Sequence, residues 1–173
     1  EIRVTNNIEI RIVKREPFAG GHEFDGAGAY EKITGRAHFA VDPNAPAQAG
    51  IVDLDKAPVN DDGLVEFATD LIILKPADTA RGNQRIFFDY GNRGNIRALQ
   101  FFNDAPGSND PATLDHAGNG FLMRRGYTIV FGAWQGDLLP GDGRMLLDLP
   151  VAQNADGSPV TGPVRTEIIV DAP

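Results

Sequence analysis

Apolar residues along the first half of the chain fall in short runs with a period of two, broken by Gly, Pro, Asn and Asp. Ile8, Ile10 and Ile12 alternate with Glu9 and Arg11, the period of a strand with one buried face, and the pattern predicts an outer strand over residues 2–13. Residues 17–29 carry Gly20, Gly21, Gly26 and Gly28 and read as a loop. A second strand is expected over 30–41, stopped by Asp42-Pro43, with a bulge at Gly35. The longest strand signal in this half runs over 64–74, between the turn Asn60-Asp61-Asp62-Gly63 and Lys75-Pro76. Another apolar run, 86–90, follows after a short gap, and consecutive strands tend to be neighbours, so these two are expected to pair.

The second half changes period. Residues 96–102 predict one or two helical turns before a polar loop over 103–111. A short helix is expected over 119–126, with Asp115 or Asn119 capping its start, Phe121 and Leu122 as its buried stripe, and Arg124, Arg125 and Gly126 closing it. An apolar strand over 127–131 comes next. Strand, loop, helix and parallel strand is how an α/β enzyme begins. Beyond the turn cluster at 138–143, runs at 145–151 and 164–170 predict a hairpin around residues 154–159. The sum is one α/β, β-rich domain over residues 1–173, with a mixed sheet, one clear short helix and a trailing β-hairpin extension.

Composition narrows the function classes. Apolar content of 42% and charged content of 23% are those of a globular chain long enough to bury its own core, while 20 Gly and 12 Pro favour turns over long helices. The net charge of −8 repels phosphate backbones, which argues against nucleic-acid partners. Without cysteine there is no disulfide, thiolate metal site or thiol nucleophile, and the compartment stays open. No run approaches the ~20 apolar residues of a membrane span. A start at Glu1 rather than Met suggests a processed or trimmed beginning.

Catalytic chemistry is sparse. The only serines, Ser108 and Ser158, sit in turn sequences without a preceding apolar strand, and no Gly-x-Ser-x-Gly elbow occurs. His22, His38 and His116 could assemble a triad only through space, and each reads more simply as a packed or networked side chain. Asp53 and Asp55 begin like a calcium loop, but Ala57 and Pro58 stand where a ligand and a Gly are needed; His22-Glu23 lacks a zincin's second His. No metal site is expected. Gly26-Ala27-Gly28 does not complete a dinucleotide fingerprint, so no cofactor follows. Trp134 and Asp137 follow the expected strand 127–131, at the edge where open α/β sheets place ligands, and are pocket candidates.

Several stretches together resemble a bacterial α/β-hydrolase domain family of large esterase-like proteins: residues 17–21, 30–43, Asn92-Arg93-Gly94-Asn95, 101–106, and 120–127 continuing to Trp134-Gln135-Gly136-Asp137. The resemblance spans nearly the whole chain and implies that it is similar to the N-terminal part of longer proteins. It places the strand 86–90 before an oxyanion loop, with Asn92, Arg93 and Gly94 where related enzymes carry His-Gly-Gly, and the Ser nucleophile, acid and His beyond Pro173. Arg93 departs from that pattern by adding bulk and charge. The bland reading of the same loop is a strand-ending turn. The resemblance further implies a small ester as the parent's substrate and, as partner, the missing C-terminal part of the same protein or another chain. A docking subunit would show an exposed apolar sheet edge near Ile129. The competing expectation is a self-contained β-sandwich binding module. Parallel pairing of 86–90 with 127–131 separates the two.

Overall fold

Three long strands form an antiparallel meander, and a parallel pair is set against its last member. A computed structural model describes residues 6–168. Its strands are β1 (Asn6–Pro17), β2 (Tyr30–Val41), β3 (Val65–Pro76), β4 (Ile86–Asp89), β5 (Thr128–Gly132) and β6 (Leu147–Asp148). Its helices are α1 (Ala98–Asn103), α2 (Leu114–Ala117) and α3 (Phe121–Arg124). The sheet order is β1-β2-β3-β5-β4, with β6 also on β3. The β1/β2, β2/β3, β3/β5 and β3/β6 pairs are antiparallel, and β4/β5 is parallel. The α/β, β-rich class and the mixed sheet are as the residue pattern led one to expect.

Gly35 does mark an irregularity, but the extra residue lies across from it. The register moves from Ile12↔Gly35 to Lys14↔Thr34, leaving Val13 as the bulge in β1. A Cβ on Gly35 would stand 2.3 Å from the Arg11 carbonyl oxygen, so the close approach of the strands at this bulge needs glycine.

The core sits on one face of the sheet. Ile72 and Leu74 of β3 and Ile129 and Phe131 of β5 share that face by register, because Ile72 opposes Phe131 and Leu74 opposes Ile129. They pack with Leu99 of α1, Leu122 and Met123 of α3, and Phe18, Phe24 and Tyr30 from the β1–β2 side. Each such side chain contributes roughly 1.5–3 kcal/mol on burial. Polar groups in this core are satisfied by fixed partners. The Tyr30 hydroxyl lies 3.0 Å from the Met123 carbonyl and 2.9 Å from that of Tyr127, and burial pushes the phenol's pKa up. The buried Lys32 ammonium pairs with Asp110, fastening the loop before α2 to β2.

Fully buried Asn103 ties the helices together. Its amide donates to the Ala117 carbonyl at 2.9 Å, its Oδ1 accepts from the Leu122 N–H at 3.1 Å, and its carbonyl accepts from the Asn119 N–H at 2.7 Å. Gly118 lets this happen: a Cβ there would lie 2.1 Å from the Asn103 carbonyl oxygen.

Four expectations change. The strands β3 and β4 are not neighbours, because β5 lies between them. The uncharged, apolar β5 can be buried on both faces and takes the interior, whereas β4 follows Arg85, ends in Asp89 and takes the edge. Accordingly Ile129 is 0% exposed, and the edge strand on this side is β4, with Ile86 at 68% and Phe88 at 56%, while β1 forms the opposite edge. The single expected helix is three: α3 and α1 fall within the helical signals, and α2 is additional, with Asp115 inside it rather than capping α3. The N-cap of α3 is Gly120, and Asn119, one residue earlier, accepts at its Oδ1 from the Phe121 N–H at 2.9 Å. The trailing hairpin contracts to the bridge Gln153↔Pro159, while β6 pairs with β3 and residues 164–168 form no strand; 169–170, like residues 2–5 of the first expected strand, lie outside the described residues.

Candidate functional site

Parallel strands bring their C-terminal ends to one side, so the loops that follow β4 and β5 meet there. The last residue of β4 organises the first loop. Asp89 Oδ1 accepts from the Gly91 N–H at 2.7 Å, and its Oδ2 accepts from the N–H groups of Arg97 at 2.8 Å and Ala98 at 2.6 Å. One carboxylate therefore closes the loop and supports the start of α1. At its tip, Asn92 and Asn95 exchange backbone hydrogen bonds of 2.9 and 3.0 Å. The central residues Arg93 and Gly94 both have positive φ, 52° and 78°, as a type I′ turn requires. Arginine in this region is strained by roughly 1–2 kcal/mol. Gly94 is packed as well as turned, since a Cβ there would meet Arg144 Cβ at 2.8 Å and the Met145 carbonyl oxygen at 2.9 Å.

The second loop is aimed by Thr69 of β3. Its hydroxyl donates to the Ala133 carbonyl at 2.9 Å and accepts from the Ala133 N–H at 3.1 Å. Residues 134–137 then reach the first loop through three contacts. The Arg93 N–H donates to Gln135 Oε1 at 2.6 Å, Arg93 Nη1 donates to Asp137 Oδ2 at 2.7 Å, and Trp134 Nε1 donates to the Gly91 carbonyl at 3.4 Å. The Arg93 guanidinium holds the Asp137 carboxyl below the usual carboxylate range. The Tyr90 and Trp134 rings meet edge to face, centroids 6.1 Å apart.

Asn92, Arg93, Gly94, Trp134 and Asp137 thus stand together. The arrangement can offer oriented N–H donors, one guanidinium and two aromatic surfaces. Gln135 joins them without any local sequence signal; its part depends on its amide oxygen facing the Arg93 N–H, a contact between segments 42 positions apart. Two cavities lie away from these loops. One of about 600 Å³ crosses β1–β3 between Glu9, His38, Glu66 and Asp148, and an apolar one of about 310 Å³ is lined by Val41, Ile51, Leu54, Phe67 and Leu149.

Among the described residues neither serine hydroxyl is hydrogen-bonded to a histidine. Ser158 Oγ donates to Asp156 at 2.6 Å within its turn. Ser108 lines the same crevice as His116, but its volume of about 10 Å³ holds a single water at most. His116 Nδ1 accepts from the N–H groups of Ala112 at 3.1 Å and Thr113 at 3.3 Å as part of the cap of α2. Among the described residues no three His, Cys, Asp or Glu side chains are grouped to hold a metal, and no helix is long and apolar enough to cross a membrane. Comparison with protein-family profiles, curated proteins and solved structures finds no match.

Proposed function

We propose that this chain is the N-terminal structural part of an α/β-hydrolase-like protein of esterase type, inactive alone, whose nucleophile, acid and base come from polypeptide outside it. The observation that carries this reading is the parallel β4/β5 pair, with its two connected loops at the strand ends and β4 at one edge of the sheet. Ligands of open α/β sheets bind outside the carboxyl ends of their strands. A sheet that ends on a parallel strand with exposed Ile86 and Phe88 is suited to receive another strand, from the rest of the same protein or from another chain. In the completed protein, Asn92, Arg93 and Gly94 lie near the acyl oxygen of a small ester, and Trp134 and Asp137 border its pocket. A β-sandwich module calls for two packed sheets, whereas these six strands share one.

Fluorophosphonate labelling with intact-mass detection tests the proposal. The folded chain alone is expected to take no adduct, and a longer protein that includes the polypeptide encoded after Pro173 is expected to take one, on a serine outside residues 1–173. An adduct on Ser108 or Ser158 of the isolated chain, or none on the longer protein, overturns it.

A further inference from the structure

The backbone donors of the β4 loop are almost all committed. Between Gly91 and Ala98, the N–H groups of Gly91, Arg97 and Ala98 go to Asp89, those of Asn92 and Asn95 to each other's carbonyls, and that of Ile96 to Asn109 Oδ1. The Gly94 N–H has no acceptor among the described residues. The Arg93 N–H is different again, because its acceptor is the tip of a side chain from the other loop. The same residue's guanidinium is held by a second exposed acceptor, Asp137.

We propose that this clasp is a receptor for a small carboxylate, filled from within: the Gln135 carbonyl and the Asp137 carboxylate stand on the donors that such a ligand would take. A guanidinium matches the two oxygens of a carboxylate, and the N–H groups of Arg93 and Gly94 stand beside it in the chain. An exposed ion pair such as Arg93–Asp137 is weak and therefore displaceable. Tyr90 and Trp134, 61% and 54% exposed, supply an aromatic surface for the ligand's apolar body. The overall charge of −8 opposes multiply charged anions, so the site favours a monocarboxylate with an apolar or aromatic body. This rests on the acyl-binding reading of the loop, and the ligand corresponds to the acid half of an ester. Its test needs no nucleophile, so a failed clasp and a failed hydrolase assignment can be told apart.

Benzoate titrated into the ¹⁵N-labelled chain, followed by amide and indole shifts at constant ionic strength, provides the test, with benzyl alcohol as uncharged control. Saturating shifts are expected at the Arg93 and Gly94 N–H and the Trp134 Nε1–H. Removing the internal occupants in Gln135→Ala/Asp137→Ala should tighten binding on the order of tenfold, because the competent state no longer has to be uncovered. Gln135→Glu should weaken it, and Arg93→Ala should abolish it. The proposal is overturned if neither the native chain nor the double variant shows saturating shifts at Arg93 and Gly94. Equal affinity in those two proteins, or an equal response to benzyl alcohol, overturns it as well.

Discussion

Asn103 shows how much of this molecule depends on single polar side chains. It is buried, its amide and carbonyl oxygen are both used, and its partners belong to α2 and α3. Replacing it by Ala leaves the buried Leu122 N–H without a partner, at about 1–3 kcal/mol, while the Ala117 carbonyl keeps the Gly120 N–H at 3.0 Å. We expect Asn103→Ala to lower stability by about 1–3 kcal/mol in urea denaturation, and a loss under 0.5 kcal/mol would remove it from this role. Nothing in the sequence announces this. An Asn after the apolar run 96–102 reads as the first residue of a polar loop, and only tertiary contact brings it under α3. The site residues were legible to a different degree. Asn92, Gly94, Trp134 and Asp137 carry turn or strand-end signals that sequence exposes, whereas Gln135 acts through a contact that has no local signature.

Among the elements, the two short parallel strands are the informative ones. Their existence and type follow from apolar runs of four or five residues, but their order does not. Adjacency in sequence favours β3 beside β4, and burial decides otherwise, because β5 can be covered on both faces while β4 keeps alternate positions exposed. The crossover that a parallel pair requires then explains why three helices gather between residues 98 and 124. An edge such as β4 is prone to pair with whatever strand it meets. The isolated chain is therefore expected to self-associate at high concentration, and Phe88→Lys to reduce that association in sedimentation velocity while changing stability by less than ~0.5 kcal/mol. Unchanged association would show that β4 is not the adhesive edge.

Across the whole molecule, carboxylates fasten strand to strand and loop to loop. Glu31 is held below the usual carboxylate range chiefly by a hydrogen bond to the Lys75 ammonium, 2.5 Å away, with Arg15 adding attraction. A carboxyl with a depressed folded pKa contributes its stabilisation fully above its unfolded value, about 4.3 for Glu, and loses it as pH falls towards the folded value. Stability should therefore decline below about pH 4. Glu31→Gln should flatten that decline by less than ~1 kcal/mol while lowering stability near pH 7 by a similar amount. Denaturation midpoints measured at both pH values decide it, and an acid limb as steep as that of the native chain would assign the loss to other groups.

Strand β3 receives β5 at residues 71–74 and β6 at residues 68–69 along the same edge. Asp70 fills the gap, its N–H donating to the Leu146 carbonyl at 2.9 Å and its Oδ2 accepting from the Leu146 N–H at 2.8 Å. The chain that leaves the sheet after Gly132 thus rejoins it a few ångströms away on the same strand. Everything between, including Trp134, Gln135 and Asp137, is an excursion whose two feet are nailed to one plank. Such a detour can lengthen cheaply, since each doubling of a flexible loop costs only about 0.6 kcal/mol of closure entropy. Its largely exposed part, residues 138–143, can therefore change length while the register of the sheet beneath stays as it is.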